Sequence, residues 1–195
     1  IGHTGATPEQ ITAAVDAGAL LSTHLGNGAA STLPRHPNFI WAQLADDRLT
    51  ASFIADGHHL PAATLKSMVR AKTLDNTILV SDAASLGGLP PGIYQTHIGG
   101  SVEVSPEGRL GVAGTPYLAG AGHLLDRNIA FIIEAAGVTL AEAVRLATHN
   151  PGAFAGGRGV LARGKRADVT LFNWSPGDAK LAIREVYVAG ERVLP

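Results

Sequence analysis

No cysteine occurs among the 195 residues, which excludes disulfide frameworks, thiolate metal sites and cysteine nucleophiles together. No apolar run reaches the roughly 18 residues that a membrane span requires, and no basic segment leading into an apolar one opens the chain. A soluble, cytoplasmic protein without a membrane partner is therefore expected. An excess of charge of one sign is also lacking: 15 Lys and Arg face 16 Asp and Glu, for a formal net charge of -1. Nothing draws the whole surface toward nucleic acid, so any anion site must be local. Charged residues make up 16% and hydrophobic residues 46%, a balance that excludes a disordered polyampholyte. The length fits one domain, or one domain with a small appendage.

The chain is rich in turn formers: 24 glycines and 11 prolines exceed the ordinary combined ~12% without reaching low complexity. Thr7 as N-cap, Pro8 in the first turn, Gly18 as terminator and Ile11 with Val15 at i, i+4 predict a first helix. Ala19–Leu25 then reads as a short buried strand that breaks into Gly26-Asn27-Gly28. A helical stretch near 38–46 precedes a second such run, Thr50–Ala55, ending in Asp56-Gly57-His58-His59. Pro61–Ala71 reads as a helix, and Ile78–Ser81 as a third strand with Asp82 at its end. Strand, polar end and helix at a period of roughly 25 to 30 residues indicate a parallel α/β array. Past residue 90 the pattern turns to hairpins over Tyr94–Val112, with turn signals at Gly99-Gly100 and Pro106-Glu107-Gly108. Two helices follow over 121–135 and 139–149, the second opened by a capping box of Thr139 and Glu142. The tail reads as two strands, Ala167–Asn173 and Ile183–Val193. The opening Ile1-Gly2-His3 reads as the middle of an element, so the chain is expected to be part of a longer one.

Residues able to do chemistry gather at the ends of these strands. In a parallel α/β barrel the strand ends share one face, which would bring His3, His24 and Asp82 together. Two imidazoles from adjacent strands suit a divalent cation at about 2.0–2.1 Å. The cation would bring the pKa of a water it holds to about 7, and a carboxylate on a third strand could take that water's proton. Each residue also has a plainer reading. A strand-end histidine commonly serves as a hydrogen-bonded structural side chain, and an aspartate after a strand commonly caps the next helix. Ala83-Ala84-Ser85-Leu86-Gly87-Gly88 reads as loop and weighs against the cap. One of His58 and His59 would reach a substrate oxygen or phosphate while the other points away, and the Arg35 guanidinium suits a phosphate. Gly26-Asn27-Gly28 could offer backbone N–H groups to an anion. His36, His97, His123 and His149 are expected to be structural or solvated.

In order along the chain, these segments resemble N-acetylglucosamine-6-phosphate deacetylases of the amidohydrolase superfamily. Gly2-His3-Thr4 is similar to that family's Gly-His-Ser/Thr motif, Thr23-His24-Leu25-Gly26-Asn27-Gly28 to its Thr-His-Leu-x-Asn-Ala motif, and Asp56-Gly57-His58-His59-Leu60 to Asp-Gly-x-His-Val/Leu. Val80-Ser81-Asp82-Ala83 resembles Val-Thr-Asp-Ala, and Leu118-Ala119-Gly120-Ala121 resembles Leu-Ala-Gly-Ser. Thr148-His149-Asn150-Pro151 and Gly164-Lys165-Arg166-Ala167-Asp168 resemble later family segments.

The resemblance implies a metal-dependent hydrolase of amino-sugar metabolism that removes the acetyl group from N-acetylglucosamine-6-phosphate. The fold implied is the C-terminal part of a TIM-like (β/α) barrel, residues 1–158 with a hairpin insertion near 92–114, plus strands of a small β-sandwich domain at 159–195. His3 and His24 would bind the metal, zinc first, with iron, cobalt or manganese as alternatives. Asp82 would be the general acid and base. Asn27, the backbone of Gly28, Arg35 and His59 would hold the sugar phosphate, with Leu118, Ala119 and Gly120 bordering it. The family's metal-binding glutamate and a carbonyl-polarising histidine have no counterpart here, and Ala121 and Gly26 replace a common serine and a common aromatic. A homodimer, or association with a missing N-terminal half, is the expected assembly. Two other readings stay open: a different amidohydrolase, dihydroorotase-like or acting on N-acyl amino acids, and a non-catalytic fragment that binds no metal.

Overall fold

The computed structural model describes residues 1–97 and 100–194. Three short parallel strands carry the first half: β1 (Leu21–Ser22), β2 (Thr50–Phe53) and β3 (Thr77–Leu79), in that order across the sheet. Their register pairs Ser22 with Ala51 and Ala51 with Thr77. Ala51 and Phe53 are fully buried, as expected for parallel strands covered on both faces. Ile1 runs beside β1: its amine donates to the Leu21 carbonyl at 2.6 Å, and its carbonyl accepts from the Thr23 N–H at 2.9 Å. His3 is thereby carried along the same sheet edge toward the end of β1.

Helices α1 (Pro8–Asp16), α2 (Phe39–Ala45) and α3 (Ala62–Lys72) connect or flank these strands. Thr7 and Gln10 form a capping box on α1, whose Ile11 and Val15 are buried against Phe39 and Leu49. Lys72 at the end of α3 is only 2% exposed. Its ammonium donates to the Asp46 carbonyl at 2.7 Å and to the Gln43 carbonyl at 3.4 Å, covering carbonyls at the open C-terminal end of α2. Burial pushes the Lys72 ammonium below its ordinary pKa, against the opposing pull of Asp47 and Asp46. Replacing it (Lys72→Met) removes the ammonium from the Gln43 carbonyl and leaves the Asp46 carbonyl with the Leu49 N–H at 3.1 Å, and is expected to cost about 1 kcal/mol. Urea denaturation checks this, and an unchanged midpoint would contradict the capping role.

A meander follows, β4 (Gly92–Thr96), β5 (Gly100–Val104) and β6 (Leu110–Val112), antiparallel throughout. Gly99 of the anticipated Gly99-Gly100 turn lies outside the described residues. Helices α4 (Leu125–Ala136), α5 (Leu140–Ala147) and the short α6 (His149–Gly152) then pack on the parallel sheet. The anticipated helix over 121–135 begins four residues later. Gly122 packs so tightly on the Gly108 carbonyl that a Cβ there would overlap it, and Ala121 is bridged to Ala83 instead of entering a helix. Thr139 and Glu142 form the expected capping box on α5.

The tail departs from the two-strand reading. It holds three antiparallel strands, β7 (Val169–Asn173), β8 (Ala182–Val188) and β9 (Glu191–Leu194). The run 183–193 is cut by Ala189 and Gly190, both at positive φ (53° and 86°), the backbone of a two-residue hairpin turn.

Two buried asparagines fasten β3 to the helices. Asn128 of α4, fully buried, donates to the Val80 carbonyl at 3.0 Å. Asn150 of α6 donates to the carbonyls of Leu74 and Thr77 at 2.8 and 2.7 Å. The end of β3, where Asp82 stands, is thus set by hydrogen bonds as well as apolar packing. Among the described residues, no helix is long and apolar enough to cross a membrane.

Candidate functional site

His24 stands two residues beyond β1. Its backbone N–H donates to the Ser52 hydroxyl at 2.7 Å, that hydroxyl donates to the Ser22 carbonyl, and the Leu25 N–H donates to the Ser52 carbonyl at 2.9 Å. β2 therefore fixes the turn that carries His24. The φ of His24 is +29° and that of Asp82 +49°; only Thr73 and Ala189 share this region among the described non-glycine residues. Backbone held in so sparsely populated a region persists where the surroundings over-determine it, and such positions concentrate at functional sites.

The ring of His24 is buried, and its Nε2 lies 3.1 Å from Nε2 of His3, the rings meeting edge to face with centroids 4.5 Å apart. Asp82 Oδ2 lies 3.9 Å from the same His24 Nε2. His3 and Asp82, both singled out from sequence, therefore each stand within 4 Å of His24 Nε2 at the strand ends. No helix follows Asp82 before β4, so helix capping does not account for it.

Whether this arrangement suits a divalent cation follows from its donors. Two imidazole nitrogens bound to one tetrahedral zinc at 2.0–2.1 Å stand roughly 3.3 Å apart, close to the observed spacing. His24 Nδ1 is sealed without a hydrogen-bond partner, which leaves Nε2 as the ring's outlet. The pair fits as part of a cation site. Among the described residues, no group of three or more His, Cys, Asp or Glu side chains is arranged to hold a metal ion, so the pair supplies two donors.

Gly28 explains how His3 reaches His24. Its φ is +62°, and a Cβ on it would overlap Nδ1 and Cε1 of the His3 ring. Only a residue without a side chain lets the imidazole lie there. Beside it, both polar atoms of the Asn27 amide are buried without a partner, which is costly unless a ligand completes them.

Asp56, not singled out from sequence, organises the end of β2. Its Oδ1 accepts from the backbone N–H groups of His58 and His59, each at 2.9 Å, and its Oδ2 lies 2.7 Å from Nδ1 of His59. Burial pushes this carboxyl up, but the His59 ring and the two backbone N–H groups outweigh that and hold it at about 2. His58 turns the other way: its ring lies 5.2 Å from that of His123 and its Nε2 is buried without a partner. Burial lowers the His58 pKa, Asp56 opposes this, and His123 adds to it. His123 itself is anchored at 2.7 Å on the Glu107 carbonyl.

The remaining candidates are placed as follows. Leu118 bridges Gly111, the Ala119 N–H donates to the Leu110 carbonyl at 3.0 Å, and Gly120 lies against Ala84. This loop is stitched beside the segment that follows Asp82. Arg35 is exposed on the loop before α2, and no hydrogen bond or ion pair joins it to the histidine pair among the described residues. Asp56, Ser52 and Asn128 were the functional supports that sequence reasoning missed. The Asp-x-x-His spacing was the available signal for the first; an asparagine on an apolar helix face was that for the last.

No family model matches the chain. It is 35% identical over 195 residues to the N-acetylgalactosamine-6-phosphate deacetylase of Escherichia coli O157:H7, covering 98% of this chain and 49% of that protein. It is 32% identical over 203 residues to the N-acetylglucosamine-6-phosphate deacetylase of Danio rerio, covering 99% and 48%. A shorter relative from Escherichia coli K12, provisionally assigned as an N-acetylgalactosamine-6-phosphate deacetylase, is 33% identical over 172 residues, covering 86% of this chain and 97% of its own. Among solved structures, the N-acetyl-D-glucosamine-6-phosphate deacetylase of Mycobacterium smegmatis, an aspartate-to-alanine variant holding N-acetyl-D-glucosamine-6-phosphate, superposes with a TM-score of 0.85 at 32% identity, over 100% of this chain and 50% of that one. The Thermotoga maritima N-acetylglucosamine-6-phosphate deacetylase gives 0.85 at 26%, over 99% and 52%. The chain spans about half the length of the first curated relatives it matches.

Proposed function

The chain belongs to the family of N-acetylglucosamine- and N-acetylgalactosamine-6-phosphate deacetylases, of the amidohydrolase superfamily, and from that premise we propose that it acts in hydrolysing the acetamide of an N-acetylhexosamine 6-phosphate. Deacetylases of this superfamily use a divalent metal. The observation that carries the reading is the meeting of His3, His24 and Asp82 at the ends of neighbouring strands.

His3 and His24 would hold the cation, zinc being the expected metal, and when bound it supplies Lewis acidity toward the acetyl carbonyl. The donor set is completed by groups outside these residues, in a longer chain or a second one. Asp82 accepts a proton from the attacking water at its carboxylate and returns it to the nitrogen as the C–N bond breaks, because an amine leaves poorly until it is protonated. The Asn27 amide, the backbone of Gly28, Arg35 and His59 Nε2 orient the sugar and its phosphate, with Leu118 to Gly120 at the border. A substrate without phosphate would give Arg35 and His59 no anion to meet, which separates this reading from other amidohydrolases.

Zinc titration monitored by calorimetry tests the proposal. The chain is expected to bind zinc, and His3→Ala and His24→Ala are each expected to weaken binding by at least tenfold. Equal zinc binding by these variants would overturn the ligand assignment.

A further inference from the structure

We propose that Asp56 is the positioning residue of the phosphate-binding histidine: it keeps a proton on Nδ1 of His59 and thereby makes Nε2 the nitrogen that meets the ligand. The inference rests on the reading of His59 given above. Its geometry is independent of that reading.

The Asp56 carboxylate is buried, with its side chain 1% exposed, whereas that of His59 is 11% exposed. Two of its three contacts are backbone N–H groups of the next turn, so the carboxylate cannot rotate away from the ring without breaking them. A carboxylate only accepts hydrogen bonds; Nδ1 at 2.7 Å must therefore be the protonated nitrogen. No hydrogen bond occupies Nε2 among the described residues. Once it is also protonated, the ring is a cation held between a buried carboxylate and an anionic ligand, an arrangement in which each partner supports the next. The neighbouring titratable group is His58, whose ring is turned to His123 and does not compete for the carboxylate. Orientation of a working imidazole through its second nitrogen is a general device.

Asp56→Asn makes a sharp test. The asparagine Oδ1 can still accept from the His58 and His59 N–H groups, but an NH2 now faces Nδ1 and calls for an acceptor there. The neutral ring is then expected to carry its proton on Nε2. Nitrogen-15 NMR of histidine-labelled chain reads this directly: a protonated Nδ1 and bare Nε2 for neutral His59 in the parent chain, and the reverse in the variant. A neutral Nε2–H can still donate to phosphate, but without the buried carboxylate the doubly protonated ring loses its support, so affinity for N-acetylglucosamine 6-phosphate should fall about tenfold, with little change for unphosphorylated N-acetylglucosamine. A parent ring protonated on Nε2 would overturn the proposal without recourse to any variant, as would an unchanged tautomer in a folded Asp56→Asn chain. A tautomer that swaps while phosphosugar affinity holds would overturn it through the assignment of His59 to phosphate, leaving the Asp56 contact itself intact.

Discussion

Asp82→Asn is expected to lower the rate of acetate release from an N-acetylhexosamine 6-phosphate by about 10³-fold, within the range that removal of a general acid–base group produces. The substitution keeps size and shape. It also keeps the backbone, because asparagine tolerates positive φ well and Asp82 sits at +49°. What it removes is the ability to take a proton from water and hand it to the leaving nitrogen. Asp82 is exposed and lies 3.9 Å from His24 Nε2, so it is beside the histidine pair and is not needed to bury or fold anything. Zinc affinity and substrate affinity should therefore change little while the maximal rate collapses. The measurement is kcat and KM for acetate release on zinc-loaded protein, in whichever assembly proves active. A variant that loses zinc affinity in parallel with rate would place Asp82 among the ligands, and one that retains full rate would remove it from the chemistry.

The sequence carried the placement of this aspartate further than it carried its support. Short apolar runs ending abruptly in His24, Asp56 and Asp82 made three parallel strands legible, since strands covered on both faces have little polar alternation. Caps at Thr7 and Thr139 were legible because side chain and backbone requirements there are local. Interactions between distant segments were not. Asn128 and Asn150 look like polar interruptions of apolar helix faces until the carbonyls of Val80, Leu74 and Thr77 are seen opposite them. The same applies to Ser52, whose hydroxyl serves a turn 28 residues earlier in the chain. Ala189-Gly190 failed as a turn signal because alanine at positive φ is rarely used in such turns. Asp56 sat in a motif in full view, yet adjacent histidines drew attention to themselves; which of the pair is held by the carboxylate depends on the chain turning immediately after Asp56.

Gly28→Ala separates site geometry from stability, and its effect on the site should be large. The added methyl group would occupy the space of Nδ1 and Cε1 of the His3 ring, and one of the two must move. Residue 28 lies on a turn with φ at +62°, anchored through neighbours that β2 holds. His3 is an exposed side chain at a bend outside any helix or strand, so the ring yields. Its departure separates the two Nε2 atoms now 3.1 Å apart. In stability the variant loses only the cost of alanine at positive φ, about 1 kcal/mol, because no core contact is broken. In function it loses a metal ligand's position: zinc affinity is expected to fall by about 10²-fold, and acetate release with it. Calorimetric zinc titration paired with thermal melting of the same samples checks both halves. A variant that melts far below the parent would show that the turn, not the imidazole, gave way. Normal zinc affinity in the Gly28→Ala chain would mean that the position of the His3 ring has nothing to do with holding the cation.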